Sequence, residues 1–539
     1  MTLRNRDLSV MPPDIAAVGQ RLMDETAPYR VIGDHLADVL HDAQFADLYQ
    51  PTGRNAVSPS LLALVTIFQF LEDVPDREAA AMVVLRLDWK YALHLPVAYR
   101  GFDYSILCDF RQRVLAHGKD ELLFDAILEK VKALGFIKKR GKQRTDSIAV
   151  VGAVRQLSAL ETVTETLRTT IRALEKADPV WAETTLPASF REQYAHLRPD
   201  YRLTKPEREA LMRQVGADGL WLLEQITAAA PEAVRTLNAV QTMRSVWEQR
   251  YHRVEGKVAV REQSVACTAL IVTPHDPGVR AGEKRGKRWH GEKVHVTETA
   301  EVAAEGENFI TVMTTANASS GDAQTLPAIR QKLVERAVVP EKQYVDSGYV
   351  SGQQMAQSQS AGIILMGPPL ADTSPNGFKI SAFTIDRETK QATCPDGKQA
   401  VKWRERTDRD GSKAVNIQFA AAECAVCPTR AQCTTSQSGR SVHLSEHYEI
   451  LEARRAEAQT AEFREEMRAR PAIEATLSEL VRQHGLRRHR YRGDAKRHFE
   501  NLLKGAACNL KRLARALRRR WEREKTAAAG GGQLVVASS

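Results

Sequence analysis

No stretch of this chain stays apolar for long. The longest uncharged apolar run, Leu61 to Leu71, is far shorter than the ~20 residues a membrane-spanning helix needs, so no membrane partner is expected. The opening residues, Met1-Thr2-Leu3-Arg4-Asn5-Arg6-Asp7, hold no apolar export core, which points to the cytoplasm and to reduced cysteines. Aromatic residues are only 6% of the chain, and no aromatic-rich sheet motif of the kind that stacks RNA bases is present. Cysteine is sparse and unevenly used. Cys108, Cys267 and Cys508 stand alone in apolar surroundings and read as core, whereas Cys394, Cys424, Cys427 and Cys433 fall close together. There is no internal repeat.

What is present is a globular composition, 43% hydrophobic and 27% charged, over 539 residues, enough for two or three domains. The net charge of +10 is consistent with a polyanionic partner. It is concentrated: Arg482 to Arg520 carries fourteen Lys and Arg against Asp494 and Glu500, a local +12.

Residues 1–137 read as all-helical. Ser58 and Pro59 have the N-cap and first-turn pattern of a helix over the Leu61–Leu71 run, a second helix spans Arg77 to Leu87, and a third spans Tyr104 to His117. Helices at this spacing suit a helix-turn-helix-like DNA-binding unit. A basic linker, Lys138 to Arg144, feeds a β-branched strand over 145–151. Residues 156–255 return to helix, with Leu160, Val163, Leu167 and Ile171 on one face, and read as an insertion. Strands follow at 265–272, 293–299, 309–315, 343–345 and 362–366, with a helix from Thr325 to Ala337; strands on both sides of a helix imply a mixed α/β sheet. A Cys-rich segment covers 367–440, helix runs from 448 to 525, and the tail 521–539, rich in Ala and Gly after 526, is expected to be disordered.

Three carboxylates stand out. Asp146 lies in Thr145-Asp146-Ser147 at a strand, Asp346 ends the strand Gln343-Tyr344-Val345, and Glu474 sits on an amphipathic helix. Singly, each reads as a turn, a strand-end cap or a surface acid. Together, two strand aspartates and a helix glutamate are the set from which a two-metal phosphoryl-transfer site is assembled. Arg470 shares a helix face with Glu474 and faces either a phosphate or Glu466. Arg487, Arg488, Arg490 and Arg492 form one candidate phosphate grip, and Lys284, Arg285, Lys287 and Arg288 a second. Trp289 fits the core better than a base stack, and Asp322 fits a helix cap better than a site residue. Cys424-Ala425-Val426-Cys427 has metal-knuckle spacing; with Cys394 and Cys433 it offers four thiolates for structural Zn²⁺, against a reading as packed reduced cysteines.

These segments resemble, over residues 20–520, the DDE transposases of bacterial insertion sequences, in particular group 1182. The resemblance is carried by Thr145-Asp146-Ser147, by Trp289-His290-Gly291 through Thr299, by Tyr344-Val345-Asp346-Ser347-Gly348-Tyr349, by Ile473-Glu474-Ala475-Thr476-Leu477-Ser478-Glu479, and by the Gly485–Gly493 and Ala507–Leu513 runs. Glu292, Ser347 and Ala475 depart from the usual residues.

The resemblance implies an RNase H-like catalytic core, over 138–366 and 441–520, with the catalytic triad Asp146, Asp346 and Glu474 holding Mg²⁺ or Mn²⁺. It further implies a helical N-terminal DNA-binding domain and a zinc-ribbon-like insert. The expected partner is double-stranded DNA, both the element's terminal repeats and the target, handled by a homodimer at the bacterial nucleoid. The competing readings are a metal-dependent nuclease without strand transfer and a non-catalytic DNA-binding regulator.

Overall fold

The computed structural model describes residues 2–3, 10–261, 269–284, 286–301, 306–370, 378–408 and 411–530. A mixed sheet organises the chain. Its strands are taken in chain order together with a separate hairpin: β1 (Lys142–Val151), the hairpin β2 (Tyr251–Val254) and β3 (Lys257–Val260), then β4 (Arg280–Lys284), β5 (Lys287–Thr299), β6 (Ile310–Asn317), β7 (Lys342–Tyr344) and β8 (Ile364–Met366). β1 lies at the centre. It pairs antiparallel with β5 and parallel with β7, and β8 continues the parallel side. The far edge of β5 pairs antiparallel with β4 near its start and with β6 along the rest.

β5 is long because residues 293–299 alternate between two buried faces, and its extension to Lys287 forms a hairpin with β4. Gly291 makes the close pairing with β1 possible: a Cβ there would stand 1.9 Å from the Val150 carbonyl oxygen.

One face of the sheet is covered by Leu326–Glu335 and Gly352–Ser360, the helices that link the parallel strands. The other face is covered by Ile473–Gln483, by the long helix Asp494–Gly530, and by the N-terminal helices. Pro59–Leu71 starts as its sequence predicts, with Ser58 Oγ accepting from the Leu61 amide and Pro59 in the first turn. It is buried all round and packs on Asp494–Gly530. The helices of 1–137 therefore have no core of their own: Phe68, Phe110 and Phe124 share one with Val294, Phe309, Leu503 and Leu510.

The insertion is helical, with Leu160, Val163, Leu167 and Ile171 buried in a separate core against Leu222 and Trp247. Between residues 383 and 445 a small β unit packs Phe383, Ile417, Phe419 and Leu444 around a three-stranded antiparallel sheet, Ala400–Thr407, Lys413–Phe419 and Ser441–Ser445. Among the described residues no helix is long and apolar enough to cross a membrane.

Four expectations change. The strand over 265–272 is not formed: 262–268 lie outside the described residues, and 269–272 run without strand pairing. The continuous helix over 448–525 is broken at 458–460, at the turn that holds Pro471 and by the irregular 484–493 segment. The tail over 521–539 stays helical to Gly530, because its helix continues one already docked by Leu510 and Leu513; 531–539 lie outside the described residues. Cys108 is exposed rather than core, whereas Cys508 is buried as expected; Cys267 lies outside the described residues.

Because the obstacle at Gly291 is backbone, Gly291→Ala must push β5 from β1. It is expected to lower stability by about 1–3 kcal/mol or more in urea unfolding. Loss below about 0.5 kcal/mol would show that the strands do not approach this closely.

Candidate active site

Register places the two aspartates. Arg144 on β1 is aligned with Tyr344 on β7 in parallel, so Asp146 and Asp346, each two residues further on, come side by side as β7 turns away. Asp146 is buried and accepts from the Ser147 amide at 2.7 Å. Asp346 caps the turn Ser347–Tyr349 by accepting from the Gly348 amide at 2.9 Å.

The helix Ile473–Gln483 brings the third acid, Glu474, in its first turn. Two clamps tie this part of the chain to the sheet, one on the helix just before, Ala461–Glu466, and one on the Glu474 helix itself. In the first, Glu466 receives Lys142 Nζ at 3.0 Å, Lys342 Nζ at 3.1 Å and the Tyr344 hydroxyl at 2.5 Å. The Tyr344 hydroxyl and the two lysines hold this carboxyl down at about 2. In the second, fully buried Glu298 accepts from Arg144 Nε at 2.7 Å, Arg512 Nη1 at 3.0 Å and Thr476 Oγ1 at 2.5 Å. Arg512 reaches on to Glu479 at 2.8 Å, so β1, β5, the Glu474 helix and the C-terminal helix meet at one ionic network.

The three acids converge on Arg470. Its Nη2 lies 2.6 Å from Asp146 Oδ2 and 3.9 Å from Asp346 Oδ2, and its Nη1 lies 3.7 Å from Glu474 Oε1. Exposure rises across the set: the side chain of Asp146 is 7% exposed, Asp346 30% and Glu474 66%. Burial pushes the Asp146 carboxyl up, against the Ser147 amide and Arg470, which hold it down. The three are hard oxygen donors of graded exposure, opening to solvent at Glu474, a donor type that suits Mg²⁺ or Mn²⁺; gathered around Arg470, their oxygens do not all lie within 4.8 Å of one another.

Beneath the site stand further polar residues, among them Asp322, which the sequence offered as a helix cap before a site residue. Asp322 receives Lys293 Nζ at 3.1 Å and Ser147 Oγ at 3.3 Å, so its side chain serves the site's floor instead of capping a helix. His295 Nδ1 and the Tyr349 hydroxyl share a hydrogen bond at 2.6 Å, and burial pushes the imidazole down to about 4, so it is neutral. The signal for Ser147, Lys293 and His295 was their place on β1 and on alternate positions of β5; Asp322 and Tyr349 lie in the turns that follow β6 and β7.

The basic residues divide. Arg487 and Arg488 are exposed, and the segment around them docks on the end of β1 through Val151 N to Arg487 O and His489 N to Val151 O. Arg490, expected to grip phosphate, instead donates to Val74 O at 2.6 Å, pairs with Asp73 and lies over the Phe70 ring, because the N-terminal helices pack beside it. Arg492 is exposed and donates to Ala153 O at 3.1 Å. Lys284, Lys287 and Arg288 are exposed on the β4–β5 hairpin, with Arg288 paired to Glu283; Arg285 lies outside the described residues. Gly291 of β5 and Arg488 both face Val151, so hairpin and arginine run occupy the same end of the sheet. Trp289 is core, as expected. The unusual Glu292 is explained by a buried ion pair with Arg497 at 2.7 Å.

Cys394, Cys424, Cys427 and Cys433 border one small cavity of the β unit, and backbone amides of Lys398 and Arg440 point at the sulfurs of Cys394 and Cys424. Four thiols suit zinc chemically, but no three of these sulfurs lie within 4.8 Å of one another. The one group among the described residues that meets that distance, Glu479, His484 and Cys508, has its carboxylate already held by Lys511, Arg512 and Arg515.

This geometry sets three carboxylates around one guanidinium, with a basic surface on the same sheet. Residues 393–514 match the family model described as a transposase DDE domain, and residues 18–113 match that of a transposase domain (DUF772). The two matches support a DDE-type transposase, a DNA-processing class whose domain implies a divalent metal. The first match contains Glu474 and stops short of both aspartates; geometry alone ties them to it. No curated protein and no solved structure matches this chain.

Removing the Glu298 carboxylate leaves Arg144 and Arg512 facing each other in the interior. Glu298→Ala is expected to cost about 3–5 kcal/mol in denaturant unfolding. A change below about 1 kcal/mol would mean that the network does not hold the helix.

Proposed function

We propose that this protein is a DNA transposase that binds the terminal repeats of its element, cleaves the ends by metal-dependent hydrolysis and joins the freed 3′ ends to target DNA. The observation that carries the proposal is the convergence of Asp146, Asp346 and Glu474, from three distant segments, on one guanidinium. The strand order, with a central β1 antiparallel to β5 and parallel to β7, supports an RNase H-like core.

Asp146, Asp346 and Glu474 would hold Mg²⁺ or Mn²⁺, which supply activation of the attacking oxygen and charge neutralisation at the phosphate. The rest falls to the chain. Glu298 and Glu466 hold the Glu474 helix against the two aspartates, so that the acids are in place before DNA arrives. Arg487, Arg488 and the β4–β5 hairpin grip the backbone at one end of the sheet, which aligns a phosphate with the acids. The cysteine unit is a structural element whose four thiols would have to draw together to hold Zn²⁺, and two copies of the chain handle the two ends together.

Mg²⁺-dependent cleavage of labelled DNA carrying the element's ends is expected for wild type. It should fall by at least about 10³-fold in Glu474→Gln, since removal of one member of a catalytic set typically costs that much or more. Equal cleavage by both proteins would overturn the assignment.

Arg487→Ala and Arg488→Ala should each weaken DNA binding across sequences and reduce the salt slope by about 1, without loss of fold. Arg490→Ala should instead destabilise the fold, because Asp73 loses its partner. An unchanged salt slope in both exposed variants would remove this surface from the interface.

A further inference from the structure

Three carboxylates that face one guanidinium repel one another, and the chain itself supplies the opposing charge. Arg470 is the side chain that touches all three. It is not simply pairing with the nearest acid on its own segment: Glu466, four residues before it, is taken by Lys142, Lys342 and Tyr344. Nor is the guanidinium fixed elsewhere, since its buried Nε has no hydrogen-bond partner. The backbone that carries it is set by the turn Met467–Ala469, with the Arg470 amide bonded to Met467 O, and by Pro471 directly after it. The movable part is the side chain, and its oxygen partners are the acids of the site.

We propose that Arg470 is a resident counter-cation: it gathers Asp146, Asp346 and Glu474 before divalent ions bind, and it competes with those ions for the same oxygens. This rests on the metal-binding reading of the three acids given above. Two cations that share one set of oxygens are linked, so each weakens the binding of the other. Metal entry therefore frees the guanidinium. Its planar fork of donors matches a phosphate. The released group lies one helical turn from Glu474, where the scissile strand would pass. Arg470 thus ties loading of the acids to capture of DNA: the same residue organises the site when it is unloaded and grips substrate when it is loaded.

The test is calorimetric titration of Mn²⁺ into full-length, metal-stripped protein. Mn²⁺ is chosen because carboxylates bind it well and thiols poorly. Arg470→Gln is expected to bind Mn²⁺ at least about 10-fold more tightly than wild type, a change equivalent to about 1.4 kcal/mol. Asp146→Asn is expected to lose the binding. Arg470→Lys keeps the charge without the fork and should fall between wild type and Arg470→Gln; it decides the question alone if Arg470→Gln does not fold.

Thermal unfolding gives a second readout. Saturating Mn²⁺ should raise the midpoint of Arg470→Gln by more than that of wild type. Equal or weaker Mn²⁺ affinity in the Arg470 variants, with binding still abolished by Asp146→Asn, would overturn this proposal alone. Mn²⁺ binding that Asp146→Asn leaves intact would overturn the metal reading of the acids, and this proposal with it.

Discussion

A single buried carboxylate, that of Glu298, joins the parts of this protein that must act together. It stands between Arg144 of β1 and Arg512 of the C-terminal helix, with Thr476 of the Glu474 helix on the same oxygen as Arg512. An unpaired charge at full burial is untenable, so each of these elements can leave only at the cost of the others. The consequence lies one turn away. The helix fixed through Thr476 also carries Glu474, and the strand fixed through Arg144 carries Asp146 two residues further along. A stability device thereby becomes a positioning device for the candidate site.

The same economy runs through the hydrophobic core. The N-terminal helices pack on the long C-terminal helix, which packs on the sheet, and Phe124, Phe309 and Leu503 belong to one cluster. Arg490 and Asp73 add an ion pair across that junction. An N-terminal unit built this way does not swing on a linker; its orientation to the acids is part of the fold. By contrast, the helical insertion and the cysteine unit each have a separate core, which leaves them as additions to the central body.

Much of this was legible in the sequence where local rules suffice. Ser58 and Pro59 announced a helix start, the alternation over 293–299 announced a strand with two buried faces, and the turn Ser347-Gly348 placed Asp346 at a strand end. The three acids were recognisable as a set. What stayed hidden depends on contacts across long separations. Arg512 and Glu298 are 214 residues apart, and spacing within a helix shows that Arg470 meets Glu474 but not that β1 and β7 deliver two aspartates to the same guanidinium. The partners of Arg490 stayed hidden for the same reason: a basic run looks solvated until a neighbouring element, here Asp73 and Phe70, claims one member. The tail was misread because a polar, Ala-rich segment has no core signal of its own, yet it prolongs a helix that has one.

The central claim is that three segments distant in sequence form one site for a hard divalent cation. The most direct test is oxidative mapping: Fe²⁺ is loaded in place of Mg²⁺, peroxide generates hydroxyl radicals at the bound ion, and the backbone breaks are located by mass spectrometry. The account predicts breaks clustered around Asp146, Asp346 and Glu474 together, all suppressed by excess Mg²⁺. Breaks missing from these three segments, or unaffected by Mg²⁺, would contradict it.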